Sequence, residues 1–112
     1  MTRAMSDDVL KTLSETIRAR RNASGDTSYT RKLLDGGAER CAKKLAEEAG
    51  EVVIAGVSQD DKALTGEAAD LLYHLLVLLE VRGVPLEDVL AELEGRMGTS
   101  GLEEKAARTK DS

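Results

Sequence analysis

Residues 41–82 read CAKKLAEEAGEVVIAGVSQDDKALTGEAADLLYHLLVLLEVR, and this stretch decides the fold. Cys41, Leu45, Ala49, Val52 and Val53 recur at helical spacing, which predicts a helix from about Ala38 to Val57. Ser58-Gln59-Asp60-Asp61 is a tight polar turn containing an N-cap candidate. A second helix follows from about Lys62 to Arg82. Between Leu71 and Leu79 it is Leu-Leu-Tyr-His-Leu-Leu-Val-Leu-Leu, apolar nearly all round. Two helices joined by so short a turn form an antiparallel hairpin. A helix apolar on every side needs cover on every side, which one neighbour and a short first helix do not supply. The expectation is an all-α fold with a helical hairpin core, its bundle completed by dimerisation.

Outward from the hairpin, the remaining segments are shorter. Ser6-Asp7-Asp8 predicts an N-cap with acids in the first turn, followed by a helix carrying Leu10, Leu13 and Ile17 on one face and ending near Arg21. Residues 22–28 are a loop by composition. Tyr29 to Leu34 is a short basic helical piece stopped by Gly36-Gly37. Gly83-Val84-Pro85 ends the second hairpin helix, with Gly near C′ and Pro at the first position of the next helix. That last helix, Leu86 to about Arg96, is expected to turn Val89, Leu90 and Leu93 inward. A Gly98-Thr99-Ser100-Gly101 linker leads to a charged tail. The whole of 1–112 reads as a single domain, with a helical core over 6–96 and a tail over 97–112; no repeat or convincing strand is evident.

Composition narrows the function classes. The chain has 112 residues, two Tyr, and neither Trp nor Phe. Its core is therefore built from Leu, Val, Ile and Ala, and it lacks the aromatic platforms on which single-stranded nucleic acid stacks. A net charge of −5, from 21 acidic and 16 basic residues, argues against DNA or an anionic membrane as partner. The single cysteine, Cys41, excludes an internal disulfide framework, suits a reducing compartment and reads as a small buried helix residue. The apolar run from Leu71 to Val81 is interrupted by His74 and Glu80 and is too short to span a bilayer. Met1 to Met5 lacks the apolar region of a secretory signal, and Met5 offers an alternative start. The expected location is cytoplasmic.

Five carboxylates sit within these apolar helices: Glu47-Glu48-x-x-Glu51 and Glu67-x-x-Asp70. Counted outward from the turn, Glu51 and Glu67 each lie roughly 9–10 Å up, and Glu48 and Asp70 roughly 13–15 Å up. The antiparallel hairpin therefore pairs Glu51 with Glu67 and Glu48 with Asp70. A solvated acidic face fits badly, because Glu48 falls in the row Cys41, Leu45, Glu48, Val52 and Glu67 in the row Leu64, Glu67, Leu71. Acids so close repel by roughly 3 kcal/mol per pair at an effective dielectric near 20. Magnesium relieves that repulsion, since it takes oxygen ligands from a few carboxylates together with substrate phosphates. A di-iron bundle would need Glu-x-x-His on paired helices, whereas the only histidine, His74, lies four residues beyond Asp70. All-oxygen ligation favours Mg²⁺, with Mn²⁺ as the alternative. Lys43 and Lys44 lie one turn before the acids, Arg31 and Lys32 lie in the preceding piece, and Lys105 and Arg108 lie in the tail. Together they supply the positive charge that a polyphosphate requires.

Ser28-Tyr29-Thr30, the block from Lys43 to Glu51, the block from Glu67 to His74 and the block from Ser100 to Arg108 together resemble phosphoribosyl-ATP pyrophosphohydrolase. This family lies in the all-α nucleotide pyrophosphohydrolase superfamily, whose signature is E-x-x-E followed by E-x-x-D. The resemblance extends from Ser28 to Lys110; before Ser28 it is only a helix in kind. It implies an obligate homodimer, with Mg²⁺ held by Glu48, Glu51, Glu67 and Asp70. Glu47 lies just outside the signature and is expected as an extra ligand or water-orienting base. The implied reaction is hydrolysis of the α–β phosphoanhydride of phosphoribosyl-ATP to phosphoribosyl-AMP and pyrophosphate, the second step of histidine biosynthesis, by a stand-alone domain. In that reaction Glu48 serves as ligand and base with Glu47 behind it, and Lys32, Lys43 and Lys44 hold phosphates. Tyr29, Lys105 and Arg108 belong to the substrate-binding blocks. Tyr73 and His74 are expected to pack against the partner helix with their polar tips satisfied. Two other readings stay open: a house-cleaning nucleoside triphosphate pyrophosphohydrolase, and a non-catalytic dimerisation module with a structural cation.

Overall fold

The computed structural model describes residues 2–23, 25 and 28–98, with side-chain surroundings from residue 9 onward. Five helices follow one another: α1 (Thr2–Asn22), α2 (Tyr29–Asp35), α3 (Gly37–Ser58), α4 (Asp61–Arg82) and α5 (Leu86–Met97). No strand occurs among the described residues, and no helix there is long and apolar enough to cross a membrane. The expected tail, with Lys105 and Arg108, lies outside the described residues.

α3 and α4 form the antiparallel hairpin. Each has 22 residues and is therefore about 33 Å long. The reversal is confined to Gln59 and Asp60. The Gln59 N–H donates to the Ala55 carbonyl at 3.1 Å, and the Asp60 carboxylate accepts from the Ala63 N–H at 2.9 Å. Asp60 thus caps α4, as the composition of the turn predicts. At the far end Gly83 adopts φ 71°. The Val84 N–H reaches the Leu79 carbonyl at 2.9 Å and the Gly83 N–H reaches that of Glu80 at 3.1 Å, which is a Schellman closure.

Ile17 of α1, Leu33 and Leu34 of α2, Cys41 of α3, Leu76 and Val77 of α4 and Leu86 of α5 make the core. Ile17, Cys41 and Val77 are almost fully enclosed. The Cys41 thiol donates to the Leu33 carbonyl at 3.1 Å, fastening α2 to α3. Glu80, which interrupts the apolar run of α4, is a nearly buried carboxylate held by Arg18 at 3.3 Å and Arg21 at 3.0 Å. These pairs tie α1 to the end of α4.

Three sequence expectations need correction. α1 begins at Thr2, so Ser6-Asp7-Asp8 lies inside a helix rather than capping one; nothing in Arg3-Ala4-Met5 opposes propagation of the helix. Gly36-Gly37 ends α2, as expected. It is a corner from which α3 departs at once, with Gly37 at φ 82°, a conformation that disfavours any side chain. Pro85 sits at the N-cap of α5, not its first position. Leu90, Leu93 and Val53 are not inward in the single chain: they are 40%, 51% and 63% exposed. Leu90 and Leu93 line an apolar groove with Leu10, Leu72, Leu75 and Leu79. Periodicity correctly identifies the apolar side of α5, but no further helix among the described residues covers it.

Candidate active site

The hairpin brings the carboxylates together level by level. One oxygen each from Glu48 on α3 and Glu67 and Asp70 on α4 lie within 4.8 Å of one another. The Glu51 charge acts on both Glu48 and Glu67. Glu48 and Glu67 are half-buried, whereas Glu51 and Asp70 face solvent. Loss of water pushes the Glu48 carboxyl above the usual carboxylate range; the neighbouring Glu51 charge adds to this and His74 partly offsets it. Glu67 is pushed up by the same cause first, then by the charge and hydrogen bond of Glu51. In both, burial and the neighbouring carboxylates disfavour the charged form.

The Glu48 Oε2 atom is buried without a hydrogen-bond partner. A buried carboxylate oxygen left unpaired is costly. The donors around it are all oxygen, the set that suits a hard divalent cation. The residues therefore fit a magnesium or manganese ion, with Glu48, Glu67 and Asp70 as the converging ligands and Glu51 beside them.

Glu47 is not brought into this cluster. Neighbouring residues on a helix point about 100° apart, and Glu47 instead pairs with Lys44 at 3.3 Å. Both line an open cleft of about 690 Å³ with Gly36, Glu39, Arg40 and Lys43. The bond to Glu47 is the main cause that raises the Lys44 ammonium above the ordinary lysine value. Lys43 and Lys44 are thus gathered where a polyanion can enter. Lys32 is exposed on α2 and does not line this cleft. Arg31 serves the architecture instead. It pairs with Asp35 at 3.0 Å and donates to the carbonyls of Arg20 and Ala23.

Arg40 was missed from sequence. It precedes Lys43, Lys44 and Glu47 at helical i, i+3, i+4 and i+7 spacing, a signal that places all four on one face. The polar tips of His74 and Tyr73 are satisfied, as expected. The His74 Nδ1–H donates to the Asp70 carbonyl at 2.8 Å, and its Nε2 faces the Tyr29 hydroxyl at 3.4 Å. The Tyr73 hydroxyl meets that of Thr30. Tyr29 is 53% exposed, so all the aromatic rings of the chain collect beside the acids, with one face of Tyr29 toward solvent.

Residues 10–97 match the family model described as phosphoribosyl-ATP pyrophosphohydrolase. Phosphoribosyl-ATP pyrophosphatase 1 of Bradyrhizobium diazoefficiens is 62% identical over 96 residues, covering 86% of this chain and 91% of that protein. Its namesake in Rhodopseudomonas palustris is 53% identical over 107 residues, covering 96% and 100%. Phosphoribosyl-ATP pyrophosphatase of Agrobacterium fabrum is 56% identical over 104 residues, covering 93% and 97%.

Proposed function

Because the chain belongs to the phosphoribosyl-ATP pyrophosphohydrolase family, we propose that it hydrolyses the α–β phosphoanhydride of phosphoribosyl-ATP, releasing phosphoribosyl-AMP and pyrophosphate for histidine biosynthesis. The observation that carries the reading is the convergence of Glu48, Glu67 and Asp70 around an unpaired buried oxygen, one turn from a lysine-lined cleft. Acids and cations arranged side by side suit a metal-dependent reaction on a polyphosphate.

Mg²⁺ is the proposed cofactor, held by Glu48, Glu51, Glu67 and Asp70. When bound, it supplies Lewis acidity, drawing charge from phosphate oxygens and acidifying nearby water. Glu48, central among the acids, accepts the proton of the attacking water. Lys43 and Lys44 bind the phosphates, with Lys32 available from α2 and Lys105 and Arg108 from the tail. Glu47 acts by holding Lys44 in the cleft. Tyr29 borders the bound substrate.

The exposed apolar face formed by Leu72, Leu90 and Leu93 is read as the surface on which a second copy completes the bundle. The deciding assay is pyrophosphate release from phosphoribosyl-ATP with and without Mg²⁺. Magnesium-dependent release in the wild type, lost in Glu48→Gln at unchanged oligomeric state, is expected. Equal turnover by the variant would overturn the assignment of Glu48, and absence of release by the wild type would overturn the reaction.

A further inference from the structure

The cleft beside the acids is lined by more than a polyanion requires. Arg40, Lys43 and Lys44 bring positive charge to it, but Glu39 and Glu47 line it as well. Lys44 engages Glu47, and Glu39 stands in the first turn of α3 next to Arg40. A site for bare phosphates gains nothing from a carboxylate. A sugar phosphate presents hydroxyls that donate and phosphate oxygens that accept, and Glu39 with Arg40 answers both. The volume, about 690 Å³, suits a ligand well beyond pyrophosphate in size.

Arg40 is seated there by the fold. Gly36 has φ −73° and ψ −13°, a conformation open to any residue, so its backbone does not call for glycine. Its neighbour does: a Cβ at position 36 would overlap Cδ of Arg40 and lie 3.1 Å from its Cβ. The arginine stem therefore rests on bare backbone at the α2–α3 corner, and both residues line the cleft. Arg40, Lys44 and Glu48 follow one another at i, i+4 and i+8 along α3, which puts them on one face. At 1.5 Å per residue, Lys44 stands about 6 Å and Arg40 about 12 Å from Glu48 along the axis. The substrate proposed above carries charge at two ends, a triphosphate and the phosphate of a second ribose, with a nucleoside between them. With the anhydride at Glu48, the second phosphate needs a cation set apart from the acids. Of the cations lining the cleft, Arg40 is the farthest from Glu48 along α3.

We propose that the Arg40 end of the cleft is the subsite for the phosphoribosyl group, with the guanidinium on its phosphate and Glu39 accepting from its ribose hydroxyls. Arg40 thereby sets the preference for phosphoribosyl-ATP over ATP, which lacks that group, since a site built to bond a group rejects the analogue without it. The planar fork of arginine matches a phosphate in a way that lysine does not. This rests on the reaction proposed above for the identity of the substrate, while the place and seating of Arg40 do not.

The test is calorimetric binding of phosphoribosyl-AMP, AMP and inorganic pyrophosphate with Mg²⁺ present. Arg40→Gln alters an exposed side chain, so folding is not at stake. It is expected to weaken phosphoribosyl-AMP about tenfold, the size of a hydrogen bond to a charged group, and to leave AMP and pyrophosphate as in wild type. Glu39→Ala is expected to weaken the same ligand alone. Gly36→Ala, which displaces the arginine stem, is expected to weaken it too, and to add nothing in an Arg40→Gln background. Unaltered phosphoribosyl-AMP affinity in either Arg40→Gln or Glu39→Ala, or a loss shared with AMP or pyrophosphate, would overturn the proposal. So would a wild type that binds phosphoribosyl-AMP no better than AMP. Turnover separates the two readings. A wild type that releases pyrophosphate from phosphoribosyl-ATP, with Arg40→Gln binding phosphoribosyl-AMP normally, sinks only this inference. An inactive wild type whose preference for phosphoribosyl-AMP over AMP depends on Arg40 sinks only the reaction.

Discussion

Glu48→Gln removes one charge from a cluster whose donor oxygens lie within 4.8 Å of one another. For Glu48 against Asp70 alone, that separation corresponds to about 3.5 kcal/mol of repulsion at an effective dielectric of 20 and about 0.9 kcal/mol in water. Asp70 is exposed and Glu48 only half-buried, so screening favours the lower figure. The glutamine amide also offers N–H donors to the carboxylates around it. The metal-free variant is therefore expected to be more stable than wild type by about 1 kcal/mol, or about 4 °C in melting temperature for a chain of this size. Magnesium is expected to reverse the order. A ligand at a hundred times its dissociation constant stabilises the native state by about 2.7 kcal/mol, and the variant, lacking one ligand, gains less. Scanning calorimetry at one protein concentration, in EDTA and in graded MgCl₂, reads both effects. A variant that melts below wild type in EDTA, or one whose response to magnesium matches wild type, would refute the reasoning.

Protonation should trace the same repulsion. The folded-state values of Glu48 and Glu67 lie above the ordinary 4.5, so their contribution to metal-free stability is present below pH 4.5 and lost as pH rises through the raised values. The melting-temperature gap between Glu48→Gln and wild type in EDTA should widen across that interval; a gap constant with pH would contradict it. Asp60→Ala removes the cap of α4 and should cost about 1 kcal/mol, read as a lower denaturation midpoint, with turnover at 25 °C retained. Leu93→Glu charges the exposed apolar groove, and sedimentation should show a smaller species than wild type; an unchanged mass would exclude that face as the contact between copies.

The hairpin and its acid pairs were legible because their causes are local. A two-residue reversal sets the register of α3 against α4, and i, i+3 spacing puts Glu48 beside Glu51 and Glu67 beside Asp70. The partner of Glu47 was less visible, since the choice between metal and Lys44 turns on a 100° step around the helix. Tyr29 and His74 are 45 positions apart, and no sequence period connects them; their contact depends on how α2 docks. The start of α1 was misplaced because a good capping residue also tolerates a helix interior when helix formers precede it. The outer face of α5 illustrates a different limit, since a hydrophobic stripe reports its own chemistry and not its neighbour.

The two tyrosines have a consequence for measurement. The chain has no tryptophan, and Tyr29 and Tyr73, with ring centroids 6.5 Å apart, both flank the acidic cluster. Intrinsic ultraviolet emission from this protein therefore originates entirely beside the candidate active site, free of signal from elsewhere in the fold. Cation binding or docking of α2 can be followed optically without an attached label, and Tyr29→Phe divides the signal between the two rings. The same scarcity makes absorbance at 280 nm a weak gauge of concentration, so stoichiometries are better fixed by refractive index or amino-acid analysis.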